Sequence, residues 1–234
     1  MDHPDHNAPP LNPIPPVVWL MVLPVVAVEL IFGAGARGLV GGAEAIGWRL
    51  QAVRDWGFFV PGFDWMVENR QFPADLAVRF VSYAFVHASF THALFAVVFL
   101  LALGKFVAEV FRPLAILAVF LGSIVAGALA YGLLLSTNQP LLGAYSGAYG
   151  LIGAFTFILW TRLGQVYEDR SRAFLFIGVL MGLQLVFNLI NLILLGGVRW
   201  DFVADLAGFA AGFGLSFLVA PGGWAALLRR LRQG

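Results

Sequence analysis

The chain has 234 residues, a net charge of +1 and no cysteine; 60% of its residues are hydrophobic, 12% are charged and the mean hydropathy is +0.86. Soluble domains run at roughly 45–50% apolar and about 25% charged residues, so a water-soluble fold of this size could not hide so much apolar surface, and the bilayer must be the solvent for most of the chain. The near-neutral charge removes the case for nucleic acid as a partner, and the lack of cysteine excludes disulfides, thiolate metal sites and cysteine nucleophiles.

Residues 1–16 are proline-rich and carry no Lys or Arg. They lack the positive start of a cleavable signal peptide and are expected to form a disordered tail before a retained first helix. Six apolar runs follow, Val17–Gly35, Tyr83–Leu103, Pro113–Leu135, Leu141–Trp160, Ala173–Leu195 and Phe202–Ala220. Each approaches the ~20 residues a spanning helix needs. The expected fold is therefore an all-α membrane protein with a six-helix membrane domain over 17–220 and a short basic tail over 221–234.

The stretch from Ala36 to Ser82 is far longer than the other connections. Ile46, Leu50 and Val53 recur at helical spacing beside Arg49, Arg54 and Asp55, and Trp48, Trp56, Phe58, Phe59, Phe63 and Trp65 suit the membrane interface. A pair of short amphipathic helices lying in that interface is expected, punctuated by a turn at Pro61-Gly62. In the third run, Gly122, Gly127 and Gly132 are expected to ease backbone contact.

Positive charge sets orientation. With six spans, Lys105, Arg112, Arg162, Arg170, Arg172, Arg229, Arg230 and Arg232 share one side with both termini, while the opposite short loops offer Arg199. Both termini are expected in the cytoplasm, with the last three arginines at the anionic surface. Lys105 is the only lysine among many arginines, which suggests a GC-rich bacterial genome and hence a bacterial inner membrane.

Titratable groups within a span cost roughly 2.5–3.5 kcal/mol each on insertion scales, so they mark either function or specific packing. Glu29, His87, His92 and Asp205 stand out. Glu29 and His87 read best as hydrogen-bonded packing or anchoring residues. His92 and Asp205 fall in motifs. Arg79 precedes a His87-x4-His92-x3-Ala96 pattern. A glycine-rich segment runs Gly143-Ala144-Tyr145-Ser146-Gly147-Ala148-Tyr149-Gly150, with Gly153 beyond it. The last run carries Ala204-Asp205-x2-Gly208-x3-Gly212.

In order and spacing these motifs resemble the rhomboid intramembrane serine proteases, from about Arg79 to Gly212. The family's arginine and His-x4-His-x3-Asn motif matches Arg79, His87 and His92, with Ala96 at the asparagine position. The resemblance implies that one oxyanion-hole donor is missing, a loss typically of about 2.7–4 kcal/mol in transition-state stabilisation. The Gly-x-Ser-Gly segment aligns in two registers. Pairing Ser146-Gly147 with the nucleophile motif requires a one-residue deletion before Gly150. The ungapped register keeps Gly143, Tyr149, Gly150 and Gly153 in family positions and puts Tyr145 where the nucleophile stands. One residue is about 100° of helix rotation, so the registers aim Ser146 differently. The family's catalytic histidine is replaced by Asp205.

Two functions follow from the resemblance. In one, the chain is a pseudoprotease that binds transmembrane segments of clients within the lipid bilayer without cutting them. In the other it is an active intramembrane endopeptidase with Ser146 as nucleophile, His92 as base and Asp205 as orienting carboxylate, since roles rather than sequence positions define a triad. A proton path through Glu29, His92 and Asp205 is a third, weaker reading. No cofactor or metal is expected.

Overall fold

The computed structural model describes residues 13–221. It runs α1 (Pro16–Ala36), a 3-10 turn (Gly42–Gly47), α2 (Trp48–Trp56), α3 (Val60–Asn69), α4 (Ala74–Ala77), α5 (Arg79–Ser82), a second 3-10 turn (Tyr83–Phe85), α6 (Phe90–Ala108), α7 (Pro113–Leu134), α8 (Tyr145–Gln165), a third 3-10 turn (Arg170–Phe174), α9 (Leu175–Leu195) and α10 (Asp201–Val219). The tail expected over 1–16 lies mostly outside the described residues, as does the basic tail over 221–234 with Arg229, Arg230 and Arg232.

Five of these helices, α1, α6, α7, α9 and α10, are long and apolar enough to cross a membrane by length and composition. α8 is equally long but is diluted by Ser146, Thr156, Thr161 and repeated glycines. Its environment explains this. Every residue from Ser146 to Ala154 is buried, between α6, α7 and α10. A helix enclosed by protein needs little lipid-facing apolar surface.

Close backbone approach holds this centre together. A Cβ on Gly208 would overlap the Ser146 carbonyl, one on Gly212 would overlap the Gly150 carbonyl, and one on Gly153 would meet the Phe209 carbonyl. Steps of four residues on both helices keep α8 and α10 in contact turn after turn, the small-xxx-small mode of membrane packing. The α7 glycines meet expectation only in part. Gly122 faces the Leu215 side chain, Gly127 the Ser146 side chain and Gly132 the Phe63 ring. Gly122 and Gly132 are holes for neighbouring side chains, while Gly127 also lets α7 approach the backbone of α10, where a Cβ would lie 3.1 Å from the Ala204 carbonyl.

Other boundaries also differ from the sequence reading. The run taken from Tyr83 becomes helical as α6 only at Phe90, because Ser89 is extended and its Oγ accepts from the His92 N–H (3.2 Å), capping the helix. His87 therefore sits in the connection before the helix. Pro61-Gly62 is no turn. Pro61 lies in the first turn of α3, where its missing N–H has no helical partner to lose. The break between helices falls instead at Gly57–Phe59, between the end of α2 and the start of α3. There Phe58 pairs with Leu141 in an isolated antiparallel bridge, with N···O distances of 3.3 and 2.9 Å, and its ring packs on Phe63, Phe80 and Tyr83. The first connection is thereby tied to the segment leading into α8.

Glu29 has a structural role. Arg49 of α2 donates from Nη1 (3.0 Å) and Nη2 to its carboxylate, and Nη1 also donates to the His87 carbonyl at 2.8 Å. The guanidinium lies 5.0 Å over the Phe32 ring. One arginine thus joins α1, α2 and the histidine connection. Glu29→Ala is expected to cost about 2 kcal/mol, between the values for exposed and buried pairs. Thermal unfolding in detergent, with Arg49→Met and the double variant completing a cycle, measures it; additive losses would mean the pair contributes nothing.

Candidate functional site

The site lies where the connections before α6 and α8 meet the first turns of α10. Gly143 donates its N–H to the Tyr83 carbonyl at 2.9 Å and has φ +91°, a conformation that favours glycine. A Cβ there would stand 3.0 Å from His92 Cε1 and 3.1 Å from His87 Cδ2. Glycine alone lets the chain pass both imidazoles and turn into α8. The next N–H, of Ala144, donates to His87 Nε2 at 3.3 Å.

That bond requires a neutral, buried His87. Its imidazole is 1% exposed. Burial, and secondarily the neighbouring His92, pushes its pKa from 6.5 down to about 3. The unfolded chain takes up this proton at higher pH than the folded one. Stability is therefore complete above pH 6.5 and falls by roughly 1.4 kcal/mol per pH unit as the pH drops toward the folded value. Unfolding measured between pH 7 and pH 4 should show this slope, and His87→Gln should flatten it.

Tyr145, the first residue of α8, covers His92. The rings stack with centroids 4.7 Å apart and 15° between planes, and the phenol donates to the His92 carbonyl at 2.9 Å. Ser146 is 1% exposed. Its Oγ makes none of the described hydrogen bonds, though it lies near the Tyr83 side chain, and it faces α7, where a Cβ on Gly127 would lie 2.6 Å from it. Ala96 is fully buried among apolar residues and offers no side-chain donor. Asp205, 3% exposed, accepts from Gln184 Nε2 of α9 at 2.7 Å. Above it, Arg199 donates from Nε to Asp201 (3.0 Å), and its N–H donates to Asn188 Oδ1 (2.8 Å).

Tyr145, Ser146, His92 and Asp205 line one cavity of about 410 Å³, with Gln184 and Arg199 on its wall. The structure brings these residues to one place without linking them as a catalytic chain. Among the described hydrogen bonds none joins Ser146 to His92, or His92 to Asp205. A serine nucleophile needs an adjacent base to take its proton, and a base needs a partner to orient it. Nor do three His, Asp or Glu side chains converge as a metal site among the described residues.

Sequence reasoning overlooked Gln184. The available signal was Gln184, Asn188 and Asn191 recurring at helical spacing in an apolar run. Polar groups on one face of a membrane helix usually bond to a neighbour, and here Gln184 bonds Asp205 while Asn188 bonds the Arg199 backbone.

A family model described as the Rhomboid domain matches residues 75–222. That range contains His87 and His92, the glycine-rich start of α8 and the Asp205 helix. No match is found among curated proteins.

Proposed function

The chain belongs to the rhomboid family, whose domain covers more than half of it, and from that premise we propose that this multi-pass membrane protein binds transmembrane segments of client proteins without cleaving them. The observation carrying the proposal is Tyr145. It stands where the ungapped family alignment puts the nucleophile, stacked on His92 and bonded to the His92 carbonyl. Ser146, the serine beside it, is turned toward Gly127, and Ser89 on the same cavity wall accepts from the His92 backbone N–H. Asp205, in the place of the family's histidine, is engaged by Gln184. A site with no hydroxyl–imidazole pair retains a shaped cavity and loses the means to activate a nucleophile.

The reading extends to the whole molecule. α8 serves as the sixth spanning helix, passing through the bundle inside a sheath of protein. α2 and α3 lie in the interface, where exposed Trp56 and Trp65 would sit at headgroup level. Both termini face the cytoplasm of a bacterial inner membrane, on the side holding Lys105, Arg112, Arg162, Arg170 and Arg172.

One observation favours proteolysis instead. Ser146, His92 and Asp205 share a cavity wall, and among the described hydrogen bonds none engages Ser146 Oγ. A fluorescent fluorophosphonate distinguishes the readings. The purified protein is expected to stay unlabelled while an active rhomboid labels under the same conditions. Labelling that vanishes in Ser146→Ala would establish an activated serine and end the pseudoprotease reading.

A further inference from the structure

The cavity above Asp205 is rich in acceptors and short of cations. The described ion pairs are Arg49–Glu29, Arg172–Glu168 and Arg199–Asp201, so Asp205 pairs with none of these bases. Its one described hydrogen bond comes from Gln184. Gln184 Oε1 and His92 Nδ1 are buried without partners among the described residues. Arg199 is on the cavity wall, but its guanidinium is already held by Asp201, so together they add no net charge. Tyr145 directs its hydroxyl away, to the His92 carbonyl. An ionised carboxylate buried in a membrane is costly, and the cost is relieved either by protonation or by a cation brought against it.

We propose that this cavity receives the cationic side chain of a lysine or arginine carried by a client transmembrane segment, with Asp205 and Gln184 Oε1 as its acceptors. The inference rests on the client-binding reading and names the class of client. Its volume, about 410 Å³, is that of a small-ligand site. Depth sharpens the selection. Asp201 opens α10 and Asp205 lies four residues on, about 6 Å further into the bundle at 1.5 Å per residue. The preferred client therefore carries its cation about one turn inside the end of its own helix, a depth that a flexible lysine stem can adjust.

The test uses the full chain in lipid nanodiscs and fluorescent single-span polyleucine peptides differing at one residue. The Leu reference is compared with Lys one turn from the end on the loop side of Asp205, Lys at mid-span, and Glu one turn from that end. The near-end Lys peptide should bind about tenfold tighter than Leu, with mid-span Lys weaker and Glu weakest. Asp205→Asn, which keeps an acceptor for Gln184, should abolish the preference. Equal binding of Lys and Leu peptides, or a preference that survives Asp205→Asn, would overturn this inference and leave client binding standing. If no peptide binds, the client-binding function itself fails. Free n-butylammonium in excess should weaken binding of the near-end Lys peptide and leave the Leu peptide unaffected; saturable n-butylammonium binding with no preference among peptides would assign the cavity to a soluble amine and overturn the proposal.

Discussion

Tyr145→Ser combined with Asp205→His is expected to turn an unreactive protein into one that labels with a fluorophosphonate. The reason lies in the register at the start of α8. Ser146 is one residue beyond the position that faces His92, and one residue is about 100° of rotation. Its hydroxyl consequently meets Gly127. A serine at 145 would start from a backbone whose present side chain already covers the His92 ring. An imidazole at 205, on the wall of the same cavity, would supply the base. Residues that act as a unit contribute little singly, so Tyr145→Ser alone and Asp205→His alone should remain near background. Together they should raise labelling by about 10²–10⁴-fold, the usual scale for a positioned general base. The oxyanion donor missing at Ala96 would keep the rate below that of an intact rhomboid. Adding Ser146→Ala to the double variant should leave labelling unchanged. If labelling instead depends on Ser146, the gapped register is the working one and Tyr145 is a bystander.

Gly212→Ala should cost about 3 kcal/mol or more, at the upper end for overpacking a core. The added methyl would overlap the Gly150 carbonyl, which is backbone and cannot rotate away. Separating α8 from α10 would also disturb the neighbouring contact at Gly208. Gly214, two residues along the same helix, has nothing within 4 Å of its would-be Cβ. Gly214→Ala should therefore be neutral or stabilising by up to about 1 kcal/mol through helix propensity. Unfolding of both variants in the same detergent provides the comparison. Equal stabilities would mean that α8 and α10 do not approach this closely in the bilayer protein. Should Gly212→Ala fail to accumulate, Gly153→Ala, which meets the Phe209 carbonyl from the α8 side, offers a second reading of the same interface.

Much of this molecule was legible in its sequence because a membrane imposes simple rules. Backbone polar groups in lipid must bond within their own segment, so long apolar runs have to be helices, and five of the six runs meet the length and composition of a span. The motifs with family spacing also emerged, since glycines at four-residue intervals and histidines five apart are properties of the chain itself. α8 shows the limit. Hydropathy assumes a helix facing lipid, whereas α8 faces protein from Ser146 to Ala154.

What the sequence determined alone was the helical membrane class, the rhomboid resemblance and the identity of the residues at the degenerate positions. Tertiary structure decided what those residues touch. The ungapped alignment keeps four family landmarks and puts Tyr145 in the nucleophile's place, but no alignment says where Ser146 points; packing turns it toward Gly127, because a fully buried side chain has few places to go. Glu29 could have been a proton carrier until Arg49, twenty residues away, was found across it. Asp205 could have been His92's partner, yet its hydrogen bond comes from Gln184 on another helix. Each outcome depends on groups distant in sequence that meet only when the helices pack, and no local pattern encodes which of several polar neighbours a buried group will meet.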